Sequence, residues 1–211
     1  MNRLLLATRS ADKAREIREI LAAAGAGVEL QSLDEAHVHW ASEEERLERF
    51  DSFQDNARAK AEYFTKLTGL PVAADDSGLE VLSLGGAPGV MSKRFSPEAG
   101  RLTGKPLDAA NNAELLRRLQ GAEEKRRRAC YVCVAILLRR PELPPEAFTG
   151  RCWGRMLEEP RGTGGFGYDP LFFHAGLGKA FGEATPEEKH GVSHRGDAFR
   201  QLAAALVEHP L

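Results

Sequence analysis

The chain has 211 residues, of which 42% are hydrophobic and 28% charged, and its net charge at pH 7 is −2. This composition is typical of a globular protein with one large domain or two lobes, and the slight excess of acid argues against a dedicated nucleic-acid binder. No apolar run resembles a signal peptide or is long enough to span a membrane. We therefore expect a cytoplasmic protein without membrane partners, in which Cys130, Cys133 and Cys152 are reduced core residues.

The chain opens with a predicted strand, loop and helix. Residues 4–7 form an unbroken apolar run, and residues 12–24 have apolar side chains at helical spacing. Ser10 is a suitable N-cap and Gly25 a suitable stop for that helix. The free backbone N–H groups at its start suit an anion, although a capped helix with surface charges explains the same residues equally well.

The next elements are a short strand at 28–30 and a helix at 53–67, separated by a strongly acidic stretch at 42–48. Such a stretch is most often a solvated face. Asn56 and Lys60 lie four residues apart and so share one side of the helix. Because Asn is a modest helix former, that position indicates either a side-chain role or a solvated pair.

A second apolar run, at 72–74, ends in the adjacent carboxylates of Asp75 and Asp76. We expect the strand to end there, with Ser77 and Gly78 turning the chain away. Ligands of open α/β sheets bind beyond the carboxyl ends of strands, so these side chains are candidates for oxygen ligands. A turn whose side chains bond only their own backbone is the alternative.

The second half continues with a predicted helix at 108–119 and strands at 129–138 and 148–156. Too few residues separate these strands for a helical crossover, so we expect them to be antiparallel. The basic run at 125–128 follows two glutamates and is interpreted as a solvated turn, although four basic residues also occur in nucleic-acid patches.

Two further stretches suggest a binding site. The loop at 162–170 has four glycines, which allow close backbone approach, and Phe166 and Tyr168, which offer flat faces for stacking. Near the C-terminus, His194 and Arg195 precede or begin a helix, where a cation is unfavourable unless a polar partner compensates it.

Taken together, these groups suit a nucleoside polyphosphate bound with Mg²⁺. Magnesium takes only one or two protein carboxylates and shares the phosphates of its substrate, while the aromatic loop would hold a base. No glycine loop is followed by Gly-Lys-Ser/Thr, so a P-loop enzyme is excluded. Signatures of a serine nucleophile are also missing.

Six motifs, spread over nearly the whole chain, resemble those of the inosine triphosphate pyrophosphatase family. The glycine loop and the Ser-His-Arg-Gly sequence are highly specific together, whereas Asp-Asp-Ser-Gly alone is a weak signal. In chain order the motifs are Leu-Ala-Thr at 6–8 with Lys13 after it, Phe-x-x-Asn-Ala-x-x-Lys-Ala at 53–61, Ala-Asp-Asp-Ser-Gly-Leu at 74–79, Gly-Gly-Ala-Pro-Gly-Val at 85–90, Gly-Thr-Gly-Gly-Phe-Gly-Tyr-Asp-Pro at 162–170, and Ser-His-Arg-Gly at 193–196.

The resemblance implies one domain over residues 1–211 with a three-layer α/β/α fold, a long mixed sheet, and two lobes flanking a central nucleotide cleft. It implies Mg²⁺-dependent hydrolysis of dITP, ITP, XTP and dXTP to the monophosphate and pyrophosphate, which cleanses the nucleotide pool. It also implies a cytoplasmic homodimer that uses no nucleic acid as a partner.

The resemblance assigns roles to individual residues. Asp76 is the catalytic carboxylate, as general base or metal ligand, and Phe166 stacks on the base, whose keto oxygen is read by Lys189, His194 and Arg195. The expected metal ligands are Asp76 with Glu44 or Glu45. The expected substrate-binding residues are Thr8, Arg9, Ser10, Ala11, Asp12, Lys13, Asn56, Lys60, Ser77, Phe166, Gly167, Tyr168, Asp169, Lys189, His194 and Arg195.

The chain departs from the family pattern in two places. Arg9 stands where the family usually has Gly, and Ser10 where it usually has Asn, which puts an extra cation beside the expected phosphate loop. The acidic segment before the second helix is also longer than usual, so spacing does not select one ligand from residues 43–48.

Three alternatives stay open at this point. A Maf-like pyrophosphatase would prefer dTTP or UTP, and an inactive nucleotide-binding module would bind without turnover. An RNA-binding protein using residues 125–128 would lose affinity steeply with added salt.

Overall fold

The computed structural model describes residues 2–211, which form an α/β structure built on one mixed sheet. The helices are α1 (Ala11–Ala23), α2 (Phe53–Thr68), α3 (Gly104–Arg118), α4 (Pro186–Val192) and α5 (His194–Glu208). The strands are β1 (Arg3–Leu6), β2 (Glu29–Ser32), β3 (Val72–Val81), β4 (Arg128–Leu138), β5 (Glu146–Met156), β6 (Phe172–His174) and β7 (Lys179–Ala180).

The seven strands described lie in the order β2-β1-β3-β4-β5-β6-β7. Strand β1 pairs in parallel with β2, placing Leu4 beside Leu30, and also in parallel with β3, placing Leu5 beside Val72. Strand β5 pairs antiparallel with β6, and β6 antiparallel with β7. The sheet is therefore mixed, as predicted, and β4 and β5 are neighbours in it.

The chain divides into two compact units. The first comprises Met1–Asp76, Cys133–Gly150 and His194–Leu211, and the second comprises Ser77–Val132 and Arg151–Ser193. The core of the first unit packs α1 and α5 side chains such as Ile17 and Phe199 with β1 residues such as Leu4. The core of the second is rich in aromatic side chains, including Tyr131, Phe172 and Phe181.

The first two predicted helices are confirmed, and Ser10 caps the first of them as predicted. Helix α1 begins after Ser10, whose hydroxyl accepts a hydrogen bond from the N–H of Lys13 at 3.4 Å. Helix α2 begins after Ser52, whose hydroxyl accepts from the N–H of Asp55 at 3.0 Å, and ends at Gly69 with a φ of 70°. Side-chain oxygens at the N-caps, and a left-handed glycine at the C-terminal end of α2, explain why the helices begin and end at these residues.

The predicted turn at Ser77 and Gly78 is wrong. Strand β3 runs without interruption from Val72 to Val81, so Asp75 and Asp76 lie inside the strand and not beyond its end. The two adjacent carboxylates do not break the strand, because successive side chains of a strand point to opposite faces. Each carboxylate also has its own polar partners, which are described below.

Residues 2–211 contain no helix that is both long and apolar enough to cross a membrane. The three cysteines are free and buried, as predicted. Burial raises the pKa of the Cys152 thiol to about 12, which suits a core residue and not a nucleophile.

Candidate functional site

The loop between β1 and α1 brings several predicted phosphate ligands to the start of a helix. The Thr8 hydroxyl accepts a hydrogen bond from the N–H of Ser10 at 3.1 Å, and Ser10 in turn caps α1. A cavity of about 560 Å³ opens beside this loop; its lining includes Thr8, Arg9, Ser10 and Ala11. The start of a helix, with the positive end of its dipole, suits an anion.

Asp75 forms the centre of a buried group of charges in the first unit. Its Oδ2 lies 3.1 Å from Nζ of Lys13 and 3.5 Å from a guanidinium nitrogen of Arg195. The other end of the guanidinium contacts Glu16 at 2.6 Å. Burial disfavours the Asp75 carboxylate, but Lys13, Arg195 and Lys60 outweigh burial and hold its pKa below the usual value.

Asp76 points to different partners. Its Oδ2 accepts a hydrogen bond of 2.9 Å from the side-chain amide of Asn56, which also bonds both the N–H and the carbonyl of Phe50. Burial raises the pKa of Asp76, the charge of Glu48 raises it further, and Lys60 and Lys13 oppose the shift. A carboxylate with a raised pKa at a charged cluster is a candidate for a functional group.

Lys60 connects the two aspartates to the acidic segment. Its ammonium group is buried and donates to Oε1 of Glu48 at 2.8 Å and to the carbonyl of Asp75. Burial alone would lower the pKa of Lys60, but Glu48, Asp76 and Asp75 raise it above the usual value. The interpretation of Asn56 and Lys60 as a solvated pair is therefore wrong, because both side chains are buried beside Asp75 and Asp76.

Asp76 and Glu48 are carboxylates of the kind that magnesium binds, and both lie in the field of Lys60. Across the described residues, 2–211, no group of three or more acidic, His or Cys side chains could hold a metal. Magnesium does not need one, since it commonly binds one or two carboxylates together with substrate phosphates. Because the field of Glu48 disfavours the charged form of Asp76, a cation between them would stabilise both carboxylates.

The other two acidic candidates have different surroundings. Glu44 is held by Arg9 through two hydrogen bonds, of 3.0 and 2.7 Å. Glu45 is exposed, and its backbone carbonyl accepts from Arg49. Spacing alone did not separate Glu48 from these residues, because the choice depends on where Lys60 and Asp76 lie in the folded chain.

In the second unit, Asp169 organises the glycine loop. One carboxylate oxygen accepts from the N–H of Phe166 at 2.8 Å and from Nζ of Lys189 at 2.6 Å. The Lys189 ammonium also lies 4.9 Å from the centre of the Phe166 ring, within cation–π range. Four predicted base-pocket residues thus meet in one loop with one cation, with Gly167 between Phe166 and Tyr168.

Helix α3 contributes two residues that the sequence analysis missed. The carboxylate of Asp108 accepts from the N–H of Gly167 at 2.9 Å, and the amide of Asn112 donates to the carbonyl of the same residue at 2.9 Å. The Tyr168 hydroxyl donates to the carbonyl of Ser92 at 2.8 Å. Asp108 and Asn112 are four apart and share one helix face, but that spacing is too common to identify a partner 55 residues away.

The remaining predicted residues fall in both units. Asp12 forms an exposed pair with Arg15 at 2.7 Å, and Ser77 begins the second unit. His194 and Arg195 begin α5 in the first unit and are buried. The negative charge that compensates Arg195 at this helix start comes from Glu16 and Asp75.

Comparison with known proteins identifies the family. The Ham1 family model matches residues 4–205. The chain belongs to the Ham1 family. This Ham1-family chain is 45% identical over 208 residues to a dITP/XTP pyrophosphatase from Frankia alni, covering 98% of both chains.

Solved structures agree with that assignment. A HAM1 protein from Coxiella burnetii is 34% identical with a TM-score of 0.83, and the match covers 99% of this Ham1-family chain and 100% of the other. A nucleoside-triphosphatase (dITP/XTP pyrophosphatase) from Mycobacterium abscessus is 41% identical with a TM-score of 0.70, and 97% of each chain is covered. The resemblance inferred from the motifs is therefore confirmed.

Proposed function

We propose that this protein hydrolyses non-standard purine nucleoside triphosphates, such as dITP and XTP, to the monophosphate and pyrophosphate. The observation that carries the proposal is the buried carboxylate of Asp76, bonded to Asn56 and placed in the field of Glu48 and Lys60. Asp76, Asn56 and Lys60 lie in motifs typical of the family, and relatives with 41–45% identity are named dITP/XTP pyrophosphatases.

The proposed cofactor is Mg²⁺, held by Asp76 and Glu48. When bound, it would neutralise phosphate charge and orient the triphosphate. The choice of Glu48 over Glu44 and Glu45 rests on its contact with Lys60 and its effect on the pKa of Asp76. Arg9 binds both carboxylate oxygens of Glu44.

The proposed reaction is an in-line displacement at the α-phosphorus. Asp76 positions a water molecule and accepts its proton, the water oxygen bonds to the α-phosphorus, and the bond to the bridging oxygen breaks to release pyrophosphate. The N–H groups at the start of α1, with Lys13 and Lys60, meet the phosphate charge. Positioning and fixed electrostatics are the main contributions of the protein to such a reaction.

The glycine loop is the proposed base site. Phe166 stacks on the purine, and the Lys189 ammonium donates to its 6-keto oxygen. An adenine would leave this buried donor facing an amino group, and an unpaired buried donor is a strong basis for discrimination. We assign Arg195 to a supporting role, because Glu16 and Asp75 already bind its guanidinium.

The experiment that tests the function is pyrophosphate release from dITP, XTP, GTP, ATP, dTTP and UTP with Mg²⁺. We expect turnover of dITP and XTP far above that of the other four. Preference for dTTP or UTP would contradict the proposal, as would binding of dITP without turnover. By family resemblance we also propose a cytoplasmic homodimer, which light scattering on the purified protein would test for its oligomeric state.

The matched variants are Asp76→Asn and Glu80→Gln, both on strand β3. Asp76→Asn should lower turnover by about 10²–10⁴-fold, the usual contribution of a general base. Glu80, whose carboxylate lies 3.5 Å from Arg151, should tolerate the change with unaltered turnover. Near-normal turnover in Asp76→Asn would refute the catalytic assignment.

A further inference from the structure

Arg9 joins the loop between β1 and α1 to the acidic segment, residues 42–48. Its Nε donates to Oε2 of Glu44 at 3.0 Å, and a terminal nitrogen donates to Oε1 at 2.7 Å. The remaining terminal nitrogen donates to the carbonyl of Val38 at 3.0 Å and lies 3.6 Å from Asp34. The whole guanidinium is thus directed to residues 34–44.

The ion pair between Arg9 and Glu44 is partly buried, unlike an ordinary ion pair on the surface. Only 9% of the Glu44 side chain is exposed, against 31% for Arg9. A carboxylate withdrawn from water needs a counter-charge, and the planar fork of Arg matches both carboxylate oxygens at once. The hydrogen bond to Glu44 raises the pKa of Arg9 above its usual value.

Glu44 in turn fixes the backbone on both sides of itself. Its Oε1 accepts from the N–H of Ala41 at 3.2 Å, and its backbone carbonyl accepts from the N–H of Leu47 at 3.1 Å. Glu48 follows directly and reaches Lys60. A continuous series of hydrogen bonds therefore runs from Arg9 through Glu44 to the residue before Glu48.

We propose that Arg9 is a positioning residue that anchors the acidic segment through Glu44 and so holds Glu48 beside Lys60. The inference rests on the proposed function for its catalytic consequence. It explains both departures of this chain from the family pattern at once, since the extra cation at position 9 and the longer acidic segment bind each other. Arg9 is then not a phosphate ligand.

The first test measures the order of the acidic segment without catalysis. Trp40 and Phe50 flank the segment and are exposed, so chymotrypsin can cleave there when the segment opens. Arg9→Gly and Glu44→Ala should each speed cleavage by roughly ten- to a hundredfold, the range for a charge-assisted hydrogen bond. The exchanged pair Arg9→Glu with Glu44→Arg should restore protection in part.

A matched control is Arg15→Gln on helix α1. This change removes an exposed ion pair with Asp12 and should leave the rate of cleavage unchanged. A fluorescence readout is also available, because Trp40 and Trp153 are the only tryptophans of the chain. In a Trp153→Phe background, the anisotropy of Trp40 should fall in Arg9→Gly. Unchanged cleavage and anisotropy in Arg9→Gly would overturn the proposal.

The second test separates an anchor from a phosphate ligand. If Arg9 acts through Glu44, Arg9→Gly and Glu44→Ala should raise the Mg²⁺ concentration for half-maximal dITP hydrolysis by a similar factor, and the double variant should add little. A rise in the KM for dITP in Arg9→Gly alone, at saturating Mg²⁺, would overturn the proposal. Absence of wild-type turnover would instead refute the proposed function and leave the cleavage result valid.

Discussion

The two units hold their functional residues by different means. In the first, buried charges hold each other, since Asp75 contacts Lys13 and Arg195 within 3.5 Å and Lys60 contacts Glu48. In the second, side chains hold a loop mainly through its backbone. Charge clusters lose stability when one member is removed, because the others stay buried without compensation. When one of the separate hydrogen bonds that hold a loop is removed, the loop should instead be positioned less precisely, with little loss of stability.

The largest effect that separates the two regions is expected from Asp75→Asn. The change leaves Lys13 and Arg195 without their shared carboxylate, and breaking such a buried group costs about 3–5 kcal/mol of unfolding free energy. Urea unfolding followed by circular dichroism measures the loss. The control Glu80→Gln, in a partly exposed pair, should cost less than about 1 kcal/mol. Equal losses would refute the idea of a mutually dependent charge cluster.

A second comparison uses two glycines of the loop. A Cβ at Gly165 would overlap the Asp169 carboxylate that binds Lys189, whereas Gly167 has no atom within 4 Å of that position. Both have positive φ values, 68° and 61°. Gly167→Ala should therefore cost only the left-handed strain, about 1–2 kcal/mol of stability.

Gly165→Ala adds displacement of Asp169, so kcat/KM for dITP should fall by roughly a hundredfold, as for other displaced binding groups. Steady-state kinetics at saturating Mg²⁺, beside thermal unfolding of both variants, would measure these effects. If the two variants behaved alike, backbone strain and not the close approach to Asp169 would govern this loop.

The smallest effect is expected from Asn112→Ala, which acts on Gly167 of the same loop. Loss of its hydrogen bond to Gly167 should raise the KM for dITP by about five- to tenfold, which corresponds to one hydrogen bond, with kcat nearly unchanged. The neighbouring Asn111 bonds the N–H of Ser96 and the carbonyl of Lys93. Asn111→Ala should therefore lower stability without raising the KM, and a reversed pattern would contradict the role of Asn112.

Local signals predicted most of the fold. Caps such as Ser10 and Gly69, and the apolar spacing of α1 and α2, act over one or two turns and are visible in the sequence. The continuity of β3 could not be predicted from the sequence, because the residues that bind Asp75 come from distant parts of the chain.

The candidate site was predicted unevenly for the same reason. Motif residues such as Asn56 and Phe166 were found because the family pattern contains them. Asp108 and Asn112 were missed because they bind the backbone N–H and carbonyl of Gly167. Every residue type except proline has both groups, so the sequence does not reveal such a contact. The choice of a metal ligand within the acidic segment rests on the contact between Glu48 and Lys60. These residues are 12 apart in sequence, so spacing alone did not reveal the contact.

Each of the two units is made of segments that are separate in sequence, and this has a consequence for biosynthesis. Arg195 lies in the last segment of the first unit, while its partners Glu16 and Asp75 lie in the first segment. Domains generally begin to fold from the N-terminus as they emerge from the ribosome. Here the first unit must wait for α5, so its buried carboxylates stay without their guanidinium until synthesis is almost complete. Shortened chains that end before α5 should therefore depend on chaperones or be degraded.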